Sequence, residues 1–373
     1  MQHIKLLDGI RGFAIIFVML YHFSINFQHQ DELMFFDFVF AKVLQSGWLG
    51  VDLFFVMSGF LITSILYKST ESKNYLKNFY VRRFLRIFPL YYLILFIFIF
   101  VLPSLSASLG EDTKLIQENS FWFWTYLLNW RIAYLGSFNE IQAGYMWSLA
   151  VEEQFYLIWP FIVLYFRESL IKICMSILLC VISLKIYLFY FAGVNATSLY
   201  VMTITHLDGL LLGASLSVLY LNSGIDEKLK NSFKYVACFA LLIIVVVSYM
   251  EGNFAFYSDY VSLFGVTACS VLFCYLLFTM LIKKEDGKLN KLFLSSPIIY
   301  MGKLCYGLYL VHHPIGILVS NKIISHDSFV LFGSYMPALV ISMLISFVLS
   351  IIAAHLSYHF FEIYFLKLKN KFS

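Results

Sequence analysis

The stretch Lys5-Leu-Leu-Asp-Gly-Ile-Arg-Gly-Phe-Ala-Ile-Ile-Phe-Val-Met-Leu-Tyr-His-Phe23 decides how the rest of the chain is read. It is apolar and long enough to enter a bilayer, yet it carries Asp8, Arg11 and His22. Ionisable groups inside a membrane are unfavourable by a few kcal/mol each, so they mark a polar cavity or a function. Eleven residues separate Arg11 from His22. On a helix that interval returns to the same face within roughly 20° and advances about 16 Å, half the thickness of the hydrocarbon core. With Arg11 near one surface, His22 lies deep in the membrane on the same face. The pattern predicts a helix that carries the chemistry of a membrane enzyme.

The surroundings agree. Of 373 residues 61% are hydrophobic and only 13% charged, with a mean hydropathy of +0.81, which excludes an ordinary soluble domain. The expectation is an all-α polytopic membrane bundle forming a single domain over 1–373. Apolar windows about 20 residues long fall at 5–26, 48–67, 84–103, 146–166, 173–192, 197–220, 234–250, 259–282, 296–320 and 335–358. With the N-terminus inside, 20 of the 26 Lys and Arg residues fall in inner segments. Ten spans with both termini cytoplasmic follow from that bias.

The longest outer segment, 104–145, holds Phe121-Trp-Phe-Trp-Thr-Tyr-Leu-Leu-Asn-Trp130, which is too short to span and reads as an interfacial helix or a lid over about 119–130. Outer segments also collect Asp31, Glu32, Asp37, Glu111, Asp112, Glu118 and Glu140. Six cysteines sit in apolar segments without a CxxC, which points to packing rather than a disulfide framework or zinc. No basic stripe suits nucleic acid, and no secretory cleavage site follows the first run.

Several polar residues interrupt the other spans. Asp52, in Gly47-Trp-Leu-Gly-Val-Asp-Leu-Phe-Phe-Val-Met-Ser-Gly, is expected at a depth comparable with His22. A carboxylate on one imidazole nitrogen fixes the tautomer while the other nitrogen takes a proton from a hydroxyl, so His22 with Asp52 suits a general base; interhelical hydrogen bonding accounts for either residue equally. Arg83 and Arg86, at i, i+3 in Tyr80-Val-Arg-Arg-Phe-Leu-Arg-Ile-Phe-Pro, lie with Arg11 at the inner level. Three guanidinium groups there clamp a pyrophosphate, or anchor the chain against anionic lipid.

Glu152 and Glu153, in Trp147-Ser-Leu-Ala-Val-Glu-Glu-Gln-Phe-Tyr, enter a span with no basic partner nearby in sequence. Adjacent residues point to different faces, so one of the two is expected to face the reaction. Asp208 is an intramembrane acid for which Lys185 is the expected partner. Cys305-Tyr-Gly-Leu-Tyr-Leu-Val-His-His-Pro314 sets Tyr306 and Tyr309 one turn apart, where the hydroxyls orient an acyl carbonyl or bond a neighbouring helix. His355, His359 and Glu362 have a metal-like spacing, but no further ligand set converges on them and no metal is expected.

Five motifs in order carry a resemblance along essentially the whole chain: Leu7-Asp-Gly-Ile-Arg-Gly with Tyr21-His-Phe, Gly50-Val-Asp-Leu-Phe-Phe-Val-Met-Ser-Gly-Phe60, Arg83-Phe-Leu-Arg86, Trp147 to Tyr156, and Tyr306-Gly-Leu-Tyr-Leu-Val-His312. The chain resembles the acyltransferase 3 family of integral membrane O-acyltransferases, which includes bacterial O-antigen and peptidoglycan acetylases. The resemblance implies an acyl-CoA donor entering from the cytoplasm, a carbohydrate acceptor on the outer face, and functional roles for Arg11, His22, Arg83 and Arg86. His313 and the Glu362-Ile-Tyr triplet depart from the family pattern, which often has an aromatic residue and Glu-x-Pro at these places. Larger members append an extracytoplasmic esterase-like domain; its absence implies that this protein finishes the transfer itself or works with a separate envelope partner.

The expectation is therefore a membrane O-acyltransferase of the bacterial inner membrane. His22, as base or transient acyl acceptor, works with Asp52 or Glu153. Arg11, Arg83 and Arg86 bind the donor, and Tyr309, His312, Glu152 and Trp147 touch substrate. Acetyl-CoA serves as co-substrate with no tightly bound cofactor, the acceptor is a carbohydrate or glycolipid, and a homodimer is compatible with the chain. The alternative is a transporter of an acyl donor or glycan precursor using the same buried charges, for which paired interrupted helices in two related halves would be the mark.

Overall fold

The computed structural model describes residues 5–25, 35–105, 107–222, 227–283, 288–324, 328, 330–331 and 334–372. Asp31, Glu32 and Lys284, used in the charge reading, lie outside the described residues. Those described are helical and contain no strand beyond an isolated bridge between Leu331 and Ser334.

Ten helices of fifteen or more residues overlap the ten windows: α1 (Lys5–Ser24), α2 (Leu49–Ser69), α3 (Tyr75–Phe96), α4 (Trp147–Phe166), α5 (Leu170–Tyr190), α6 (Asp208–Asn222), α7 (Glu227–Glu251), α8 (Val266–Lys283), α9 (Ser296–Lys322) and α10 (Met336–Ser357). Among the described residues, seven helical stretches are long and apolar enough to cross a membrane, and α4 and α5 share one of them, Gly144–Tyr190. The chain is a multi-pass membrane protein. Two expected spans fall outside those seven. The 15 residues of α6 rise about 22 Å against a hydrocarbon core of about 30 Å. The other, α9, is diluted by Lys303, His312, His313 and Pro314.

Two details of the windows change. The third helix begins at Tyr75, so Arg83 and Arg86 sit within it rather than ahead of it. The expected span 197–220 is broken: a short helix Ala196–Val201 and a 3-10 turn Thr203–Thr205 precede α6. A single apolar window cannot register that break, where Thr203 and His206 bond Gln154 and Asp52, far away in sequence.

The chain groups into two compact units. A terminal unit takes Gln2–Val51, Phe84–Tyr91 and Lys288–Ser373, and a middle unit takes Asp52–Arg83 and Tyr92–Gly287. In the terminal unit α1 packs along α9, and α10 covers both. Small residues set that approach: a Cβ on Gly12 would run into the carbonyl of Ile298, and one on Gly302 into the carbonyl of Asp8. The helices are parallel, since Gly12 meets Gly302 while Phe23, further along α1, meets Gly316. In the middle unit Gly59 and Gly213 bring α2 and α6 equally close, with Gly59 against the carbonyl of Leu210 and Gly213 against that of Val56.

Candidate active site

The parallel register of α1 and α9 carries Gly12 past Gly302 and, ten residues on, His22 past His312 with the same offset. Nδ1 of His22 lies 2.8 Å from Nε2 of His312, and Nδ1 of His312 lies 2.9 Å from the carbonyl of Leu308. A carbonyl only accepts, so His312 Nδ1 carries its hydrogen and donates it there. In the neutral ring its Nε2 is then an acceptor facing Nδ1 of His22, a ring that also hydrogen-bonds the Val18 backbone.

His312 is fully buried, whereas His22 is half-buried. The His313 ring stands edge-on to His22 with centroids 5.0 Å apart, and the buried Tyr309 ring lies 5.8 Å from His312. Tyr306 does not match the substrate-orienting role: its hydroxyl donates to the carbonyl of Ile87 at 2.7 Å and ties α9 to α3.

At the other end of α1, Arg11 forms an ion pair with Asp8 at 3.7 Å. Arg11, Asp8, Arg86 and Glu362 all act electrostatically on the buried Cys305, so two arginines and two acids of the terminal unit surround one point on α9. His355 bonds the Tyr300 hydroxyl, and His359 donates to the carbonyl of His355.

In the middle unit, Asp52 bonds a second histidine. Its carboxylate accepts from Nε2 of His206 at 2.9 Å and from the Tyr200 hydroxyl at 3.5 Å. The His206 ring is enclosed by Phe55, Trp147 and Tyr200, with centroids 5.2, 5.5 and 4.6 Å away. Trp147, expected to touch substrate, is thus a buried wall of this box. Sequence reading missed His206. It stands two residues before Asp208, but only the helix break at 202–207 turns it toward Asp52. The expected pair of Lys185 and Asp208 is present at 2.8 Å, both groups at most 1% exposed, with Thr267 also bonded to Asp208.

Glu153 finds its basic neighbour in space. Arg83 interacts electrostatically with Glu153, and its guanidinium lies over the Tyr156 ring, 5.3 Å from the centroid. The Tyr156 hydroxyl bonds Ser58. The next residue, Gln154, uses its whole amide. Its oxygen accepts from Trp130 Nε1 at 3.1 Å and Thr203 Oγ1 at 2.6 Å, and its nitrogen donates to the Tyr126 carbonyl at 2.8 Å and Asn129 Oδ1 at 2.9 Å. The segment read as an interfacial helix or lid is therefore two short helices, Ser120–Trp124 and Leu128–Leu135, held by buried Phe123, Leu128, Asn129 and Ile132.

Comparison with known proteins now adds the family. A family model described as an acyltransferase domain matches residues 4–355. Relatives include a putative peptidoglycan O-acetyltransferase, YrhL, of Bacillus subtilis, 28% identical over 388 residues that cover 97% of this chain and 54% of the relative. The peptidoglycan O-acetyltransferase OatA of Listeria monocytogenes is 29% identical over 337 residues, 84% of this chain and 49% of its own length. An O-acetyltransferase OatA of Staphylococcus aureus is 28% identical over 375 residues, 95% and 56% respectively. The chain spans about half the length of these curated relatives. No solved structure matches it. With the family match running from the start of α1 nearly to the end of α10, through both histidines of the pair, the chain belongs to the acyltransferase 3 family of membrane O-acyltransferases.

Proposed function

We propose that the protein transfers an acyl group, acetyl in the first instance, from cytoplasmic acyl-CoA to a hydroxyl of a cell-envelope or lipid-linked carbohydrate outside a bacterial inner membrane. The observation that carries this reading is the hydrogen-bonded chain from the Leu308 carbonyl through His312 to His22. It gives a half-buried imidazole suited to act as a base, positioned by a second ring that is fixed by backbone. As the carbohydrate oxygen attacks the thioester carbonyl, the His22 imidazole takes the hydroxyl proton. The carbon–sulfur bond then breaks and the departing thiolate recovers that proton, leaving an ester and free CoA.

The charge that His22 carries meanwhile is stabilised through Nδ1–H by the lone pair of His312, the place a carboxylate holds in a Ser-His-Asp triad. Arg11, oriented by Asp8, holds the donor's phosphates about 16 Å along the same helix, a span suited to a pantetheine arm. The carbohydrate acceptor is supported by the relatives named as peptidoglycan O-acetyltransferases. The test is CoA release from acetyl-CoA by purified protein in liposomes, with and without a glycan acceptor. Acceptor-dependent release that His22→Ala abolishes is expected; glycan or donor flux without release would instead make the chain a carrier.

A further inference from the structure

Arg83 and Arg86 stand one turn apart on α3, yet Arg83 belongs to the middle unit and Arg86 to the terminal one. Within the middle unit Arg83 faces acids. The charged groups that act on the buried Tyr156 hydroxyl are Glu152, Glu153 and Arg83, two carboxylates and one guanidinium, and Arg83 acts on Glu153 as well.

Arg83 also continues a seam between α3 and α4. The hydroxyl of Tyr75 donates to the carbonyl of Pro160 at 3.0 Å, and that of Tyr80 donates to the carbonyl of Leu157 at 2.7 Å. Two turns on from Tyr75, the Arg83 guanidinium lies over Tyr156, 5.3 Å from its centroid, and over Phe79 of its own helix at 5.9 Å. Both rings are buried, and Tyr156 is fixed in turn by its bond to Ser58. A cation over an aromatic face is attracted by the ring quadrupole, most strongly where water is excluded.

These contacts work against phosphate capture by Arg83. Bidentate binding needs a guanidinium edge turned to the ligand and a net positive field around it. Here two carboxylates offset the single cation and repel a polyphosphate, while the rings fix the side chain. We propose that Arg83 is a positioning residue, which offsets the charge of the α4 acids and holds α4 on α3, and that it does not bind the donor's phosphates; the second half rests on the acyl-CoA donor proposed above.

The test is calorimetric CoA binding by the detergent-purified protein, with its unfolding temperature and its steady-state transfer from acetyl-CoA. Arg83→Met should leave the CoA dissociation constant and the KM for acetyl-CoA unchanged while lowering kcat and the unfolding temperature. Arg11→Gln should weaken CoA binding about ten- to a hundredfold, the loss of one charge-assisted contact. Adding Glu152→Gln or Glu153→Gln to Arg83→Met should restore the unfolding temperature, because one neutralised acid balances the missing cation. Arg83→Lys keeps the charge without the fork and should stay near the parent in stability. CoA binding weakened by Arg83→Met as much as by Arg11→Gln would overturn the proposal, as would a loss of stability that neither acid substitution reverses. Failure of the unaltered protein to bind CoA would sink the acyl-CoA donor itself, while reversal by the acid variants still decides what Arg83 does.

Discussion

Replacing His312 tests the base directly. In His312→Leu the acceptor 2.8 Å from Nδ1 of His22 is removed while an apolar side chain fills the buried position. Two consequences follow: His22 loses the ring that positions it, and the imidazolium formed during transfer loses a charge-assisted hydrogen bond. Such a bond contributes about 1.5–3 kcal/mol, which lowers kcat/KM about ten- to a hundredfold at 1.36 kcal/mol per decade. His312→Gln, whose amide oxygen accepts from Nδ1–H, should recover part of the loss. The assay is thiol release from acetyl-CoA in proteoliposomes, with the unfolding temperature measured in parallel. Wild-type kcat/KM in His312→Leu, with His22→Ala inactive, would refute the two-ring relay and leave His22 acting alone.

Other outcomes follow from the packing. Gly302→Leu pushes a side chain into the carbonyl of Asp8 and should separate α1 from α9, lowering stability by about 1–3 kcal/mol and activity with it; an unaltered unfolding temperature in detergent would show that the helices tolerate a wider spacing. Lys185→Met strands Asp208 in a fully buried position and should destabilise by about 3–5 kcal/mol, most of it restored by adding Asp208→Leu; a single variant as stable as the parent would count against the buried pair. Gln154→Leu leaves the partners Trp130, Asn129 and Thr203 short of a bond each and should cost at least about 2 kcal/mol. A freely moving lid over 119–130 would instead predict no change in the unfolding temperature. Asp52→Ala should lower the unfolding temperature through loss of the His206 bond; a fall in kcat/KM with no fall in stability would instead mark a catalytic role for Asp52.

The amino-acid order by itself determined the class of the molecule and the two stations on α1. Apolar runs long enough for a bilayer are a local property, and so is the face shared by Arg11 and His22, because a helix repeats its geometry every few residues. Lys185 with Asp208 was also legible, since a buried ammonium and a buried carboxylate have few other solutions. Only the tertiary structure decided the partners. Asp52 and His206 are 154 residues apart and His22 and His312 are 290 apart, so their meeting depends on helix registers that no window contains. The deciding groups are backbone as much as side chain: Gly12 and Gly302 fix the register of α1 on α9, and the break between Val201 and Asp208 turns His206 inward. The neighbour of His22 across that contact is an imidazole, because parallel helices held at glycine distance leave room for one ring against another.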